Sequence, residues 1–137
     1  WPVEINPRYT ASVEVLQRAT ATDLFALHVA ACRDQLTDVH VAYAPHTCAG
    51  KLVVFAPHEF AVPRAVSAAW CRRAARTSSP ELADVPPAET VVRAAQPVAT
   101  VFAVAANQAA VVARLRQRRA RLLRELEQAQ PVTSSLR

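Results

Sequence analysis

One glycine, Gly50, stands in a chain of 137 residues. That scarcity constrains the fold and its chemistry more than any other feature. Loops that cradle phosphate with their backbone need several glycines, because a residue without Cβ lets the main chain approach the anion closely. A Walker A loop and a dinucleotide-binding fingerprint are therefore excluded. The G-x-S-x-G nucleophile elbow is missing too.

The chain is long enough for one domain with a real core. Apolar residues make up 52%, which argues against overall disorder. The sequence opens at Trp1 and holds no Met, so a processed product is expected. Glu4, Asn6 and Arg8 break any apolar run of the kind a signal peptide needs. Lys and Arg number 16 against 11 Asp and Glu, a formal charge of +5. Fifteen of the 16 are Arg, with Lys51 the exception. GC-rich coding produces such a bias, and arginine also pairs bidentately with phosphate, which keeps a nucleic-acid partner open. Cys32, Cys48 and Cys71 form an odd, widely spaced set. They point to a reducing compartment rather than a disulfide framework.

Residues 1–9 carry Pro2 and Pro7 and read as an extended arm, followed by a single domain over 10–128. Thr10 or Ser12 is placed to cap a helix. Val13, Leu16, Ala19, Leu24, Leu27 and Ala31 give a helical pattern running to Leu36, with a possible break at Thr20 or Thr22. A strand over Asp23 to Val29 is the alternative. Alternation in "DVHVAYA", residues 38–44, predicts a strand, and "PHTCAG" a loop. Leu52 to Ala56 predicts a second strand, apolar on both faces and so central. A short bridge leads to a helix over 63–77, with Pro63 in its first turn and Val66, Ala69, Trp70 and the stem of Arg73 on one face. The Ser-, Pro- and acid-rich stretch "TSSPELADVPPAE", residues 77–89, reads as a linker.

Beyond it, "TVVRAA" and "VATVFAVAA" read as strands around Pro97. Residues 98–129 admit two readings. Their alanines favour one continuous helix. Their β-branched residues favour a hairpin turning at Asn107-Gln108 and then a helix, and on that content the hairpin is preferred. Asn107, Gln108 and Arg114 interrupt the segment too much for a good membrane span. The end is a helix with an apolar stripe of Leu115, Leu122, Leu123 and Leu126. Pro131 closes it, and residues 129–137 form a flexible tail.

The strand–turn–helix junction from Lys51 to Arg73 is where α/β proteins often hold their chemistry. Here it has no glycine and no nucleophile at the helix start. Cys71 lies too deep in the helix for its thiolate to be stabilised by the N-terminus, so a Cys71–His58 pair oriented by Glu59 is disfavoured. The junction reads as a scaffold corner that offers His58, Glu59 and Phe60 as a contact surface. Cys32, Cys48, Cys71, His46 and His58 have zinc-ligand chemistry, but no CxxC knuckle organises them, and neither metal nor cofactor is expected. The most informative cluster is Arg114, Arg116, Arg118, Arg119, Arg121 and Arg124, six arginines within eleven residues. Such a run neutralises phosphates. On a helix Arg114, Arg118, Arg121 and Glu125 share one side, while Arg116 and Arg119 lie elsewhere. No aromatic residue is interleaved for base stacking.

The order helix, strand, strand, helix, linker, strands, helix resembles the ribosomal silencing factor family, which has mitochondrial members. The resemblance covers about residues 38–128. "DVHVAYA" stands at the family's first strand. "KLVVFAPHEFAVPRAVSAAW" stands at its second strand, turn and helix, and "VVARLRQRRARLLRELE" at its last strand and C-terminal helix, with Leu126-Glu127 at the family's Leu-Glu position. Gly50-Lys51 replaces the family's Thr-Asp pair, "APHEF" its Gly-Thr-Ser turn, and the Trp-x-x-x-Asp-x-Gly stretch is missing. The resemblance implies a non-enzymatic protein that binds the large ribosomal subunit and blocks subunit joining.

The sequence thus predicts an α/β (α+β) domain, a small sheet flanked by helices with a long, basic, amphipathic C-terminal helix. The expected function is binding within an organellar ribosome of the mitochondrial matrix. The six arginines would meet rRNA, and Leu115, Leu122, Leu126 and Phe60 would meet ribosomal proteins. A supernumerary subunit of a respiratory or other membrane-bound complex is the alternative, tied to the continuous-helix reading.

Overall fold

The computed structural model describes residues 10–20, 22–36, 47–77 and 79–129. The predicted strand at 38–44, the N-terminal arm, His46 and the tail from 130 lie outside them. The elements run α1 (Ala11–Thr20), α2 (Leu24–Cys32), β1 (Cys48–Phe55), β2 (Phe60–Ala61), α3 (Arg64–Ala74), β3 (Leu82–Ala83), β4 (Val91–Val92), β5 (Pro97–Ala105) and α4 (Gln108–Ala129). This is an α+β fold, with one sheet ordered β1-β5-β3 and a two-stranded sheet of β2 and β4.

Two compact units divide the described residues. The first comprises α1, α2 and the residues up to Ala49, with Val104–Val111. Its helices are separate because the chain breaks after Thr20, whose hydroxyl donates back to the Leu16 carbonyl at 2.9 Å. Asp23 then caps α2, its carboxylate accepting from the Ala26 amide at 2.9 Å. That cap decides for helix against the strand alternative at 23–29. Neither helix buries a residue, and Leu16 and Phe25 are more than half exposed.

The second unit, Gly50–Ala103 with the rest of α4 from Val112, holds most of the core. Its central strand is β5, buried continuously from Val98 to Ala103. A strand covered on both faces reads as an unbroken apolar run. β1 was the strand expected to be central. It lies at the edge of the described sheet, with Val54 buried and Phe55 exposed. Its start also corrects the loop expected at 45–50, since Cys48, Ala49 and Gly50 already belong to the strand.

The bridge after Pro57 contains β2, which pairs antiparallel with β4 through Phe60 opposite Val92 and Ala61 opposite Val91. The ladder extends at both ends. Ala56 donates to the Gln96 carbonyl and Val62 to the Thr90 carbonyl, each at 2.9 Å. Within the stretch read as a linker, β3 pairs with β5, Leu82 opposite Val101, and Leu82 is 1% exposed. A two-residue strand flanked by prolines and acids leaves too few alternating positions for periodicity to show. On α3 the inward face is Val66, Ser67 and Trp70, while Ala69 points to solvent. The Ser67 hydroxyl is satisfied by the Pro86 carbonyl at 2.8 Å.

Residues 98–129 form neither the preferred hairpin nor a continuous helix. They form all of β5 after Pro97, then α4. Asn107 is the pivot, acting as a helix cap rather than a hairpin turn. Its side-chain oxygen accepts from the Ala110 amide at 2.9 Å and its carbonyl from the Val111 amide at 3.1 Å. Val111, Leu115, Leu122 and Leu126 are buried along one stripe of α4. Among the described residues no helix is long and apolar enough to cross a membrane.

The glycine scarcity has a backbone consequence. Gly50 lies in a strand, and among the described residues the positive-φ positions are Asp34 (53°), Asp84 (56°), Glu89 (67°) and Ala95 (62°). Left-handed backbone costs any residue with a Cβ about 1 kcal/mol or more. Asp84 offsets part of that cost by accepting from the Thr100 hydroxyl at 2.6 Å.

Candidate functional site

The buried stripe of α4 orders its charges. At about 3.6 residues per turn, Arg118, Arg121 and Glu125 fall on one flank of the stripe and Arg116 and Arg119 on the other. On the first flank, Glu125 reaches α3. Its Oε2 accepts from the Trp70 indole Nε1 at 2.6 Å, and its Oε1 from Arg73 at 3.1 Å and from Arg121 at 2.8 Å. Burial alone would raise this carboxyl. The Trp70 hydrogen bond, then the Arg121 bond and the charge and bond of Arg73, outweigh it and hold the pKa below the ordinary glutamate value. Arg118 donates to the Phe102 carbonyl of β5 and to the Glu81 carboxylate beside β3. It ties α4 to the sheet and is a structural arginine.

The remaining predicted arginines are differently placed. Arg114, Arg116, Arg119, Arg121 and Arg124 are all exposed. Among the described residues Arg116, Arg119 and Arg124 enter no ion pair. An arginine held by no acid keeps its whole charge and fork geometry for a ligand.

Leu115, Leu122, Leu126 and Phe60, expected to meet a protein partner, are 8%, 0%, 3% and 7% exposed. Their apolar surface is used inside the fold and is closed to a partner. His58 sits edge-on to Phe60, with ring centroids 6.1 Å apart, and Glu59 beside it is exposed. Cys71 lies on the exposed side of α3, and Cys32 meets His28 at 3.8 Å within α2. Among the described residues no three His, Cys, Asp or Glu side chains gather as a metal site.

Sequence reasoning missed the contribution of α3. Arg72, Arg73 and Arg76 lie at its C-terminal end. With Arg121 and Glu125 of α4 they line a cavity of about 650 Å³. The signal was present as "CRRAAR", but arginines at a helix C-terminus are the ordinary complement of its dipole and do not by themselves mark a site. Only the pairing of α3 with α4 adds Arg121 to them. What this arrangement does chemically is concentrate positive charge between α3 and α4, which suits anion binding. No family model matches the sequence, and comparisons with curated proteins and with solved structures return no match.

Proposed function

We propose that the chain is a non-catalytic binding protein that docks on structured RNA, as a component or associated factor of a ribosome. The observation that carries this is the exposed set Arg116, Arg119 and Arg124 on α4, which enters no ion pair among the described residues. Phosphate contact by such side chains supplies most of the affinity of sequence-independent RNA binding. Without interleaved aromatics, the helix suits the backbone of folded RNA rather than unstacked bases. Positive charge on both flanks of α4 fits a helix lodged among RNA segments. The ribosome, and the mitochondrial matrix as its place, come from the resemblance of residues 38–128 to the ribosomal silencing factors.

The test is a pull-down of the purified chain with ribosomal subunits at graded salt. Retention that fades as salt rises, and that weakens when Arg116, Arg119 and Arg124 are changed to Ala, supports this function. Absence of retention at every salt concentration refutes it.

A further inference from the structure

We propose that the cleft between the C-terminal end of α3 and α4 is a seat for one phosphate of the RNA backbone. Arg72, Arg76 and Arg121 grip the anion, and Arg73 stands beside them. The inference rests on the RNA-binding function above and gives it a defined pocket.

Four observations lead there. First, these residues line an open surface cleft of about 650 Å³. A phosphodiester with part of its sugar fits well within that volume. Second, both walls are basic. Arginines in the last turn of α3 are the ordinary complement of its dipole. Arg121 comes from the opposite wall, which dipole complementarity does not require. Third, the charge is unbalanced, with four guanidinium groups facing one carboxylate. Like charges lining one concavity repel, and an anion between them relieves that repulsion. Fourth, Glu125 is already committed to Trp70, Arg73 and Arg121. It engages a terminal nitrogen of Arg73 and the Nε of Arg121, and leaves Arg72 and Arg76 with no ion pair among the described residues.

RNA is favoured over a lone phosphate group on a peptide or lipid because the charge continues past the cleft. Arg124 follows Arg121 by about one turn, and Arg114 precedes it by about two. A repeating polyanion matches such a track.

The Trp70 indole N–H, bonded to Glu125, is a built-in reporter. It is followed by NMR in the full-length ¹⁵N-labelled chain, and Trp1→Phe assigns it, since the chain has two tryptophans. Titration with pyrophosphate and with an RNA hairpin is expected to move this resonance to saturation. The double variant Arg72→Ala/Arg76→Ala, at exposed positions, should abolish the pyrophosphate response and weaken hairpin binding about tenfold. Hairpin binding unchanged in that variant, yet lost in Arg116→Ala/Arg119→Ala, overturns the seat and leaves RNA binding standing. No hairpin binding by the parent chain overturns both. A response to vesicles of phosphatidylglycerol and phosphatidylcholine, or to a phosphoserine peptide, without one to the hairpin overturns the assignment to RNA.

Discussion

Trp70 and Glu125 are 55 positions apart in sequence and 2.6 Å apart in space, the indole Nε1 donating to the carboxylate Oε2. This bond fixes α3 against α4 and therefore fixes which arginines share a cleft. Trp70 is 1% exposed, so its N–H has no water to turn to. Glu125→Ala is predicted to destabilise the chain by about 1–3 kcal/mol, the cost of a buried donor left unsatisfied. Glu125→Gln retains an acceptor and should cost less. Urea unfolding of the three proteins at neutral pH checks the order.

The same contact makes stability depend on acid. Glu125 has its pKa lowered in the folded chain, so its contribution is fully present above the unfolded-state value. It is lost as pH falls through the folded value, below the ordinary glutamate range. The urea midpoint of the parent should therefore drop between neutral and strongly acidic pH more than that of Glu125→Gln. Equal pH profiles would mean that the carboxylate is not held as described.

Leu122 has no exposed surface and sits midway along the buried stripe of α4. Leu122→Ala is predicted to cost about 2–5 kcal/mol through lost burial and the cavity left behind. Leu123, one position on and only partly buried, should cost clearly less. Denaturant midpoints of the two variants separate core from flank.

Ala95 holds φ at 62° in the turn whose Gln96 amide donates to the Arg93 carbonyl at 3.1 Å. A Cβ is costly there. Ala95→Gly is predicted to stabilise the chain by about 0.5–1 kcal/mol, the reverse of the usual effect of adding glycine. A rise in melting temperature is the readout.

These residues also explain what could be read from the sequence. The α+β class was legible, as were β5, α3 and the basic last helix, because each carries a sustained apolar period. Asn107 misled because Asn-Gln between β-branched runs is chemically equivalent to a turn, and only its bond to the Ala110 amide distinguishes a cap. β2 and β3 are two residues long, and their register is set by partners far along the chain. The leucines of α4 looked like a docking stripe because sequence does not say whether an amphipathic face is covered by the same chain. The arginines were found, but Arg118 proved structural and the cleft arginines of α3 went unread, because both facts depend on tertiary neighbours.

The most direct measurement is the affinity of the full chain for a structured RNA between 50 and 200 mM salt, by fluorescence anisotropy. Each phosphate contact contributes about 0.9 to the slope of log affinity against log salt. A steep fall is predicted for the parent, with the slope shallower by about 2 to 3 when Arg116, Arg119 and Arg124 are replaced together by Ala. An affinity indifferent to salt, or a slope unchanged in the triple variant, would contradict phosphate docking through α4.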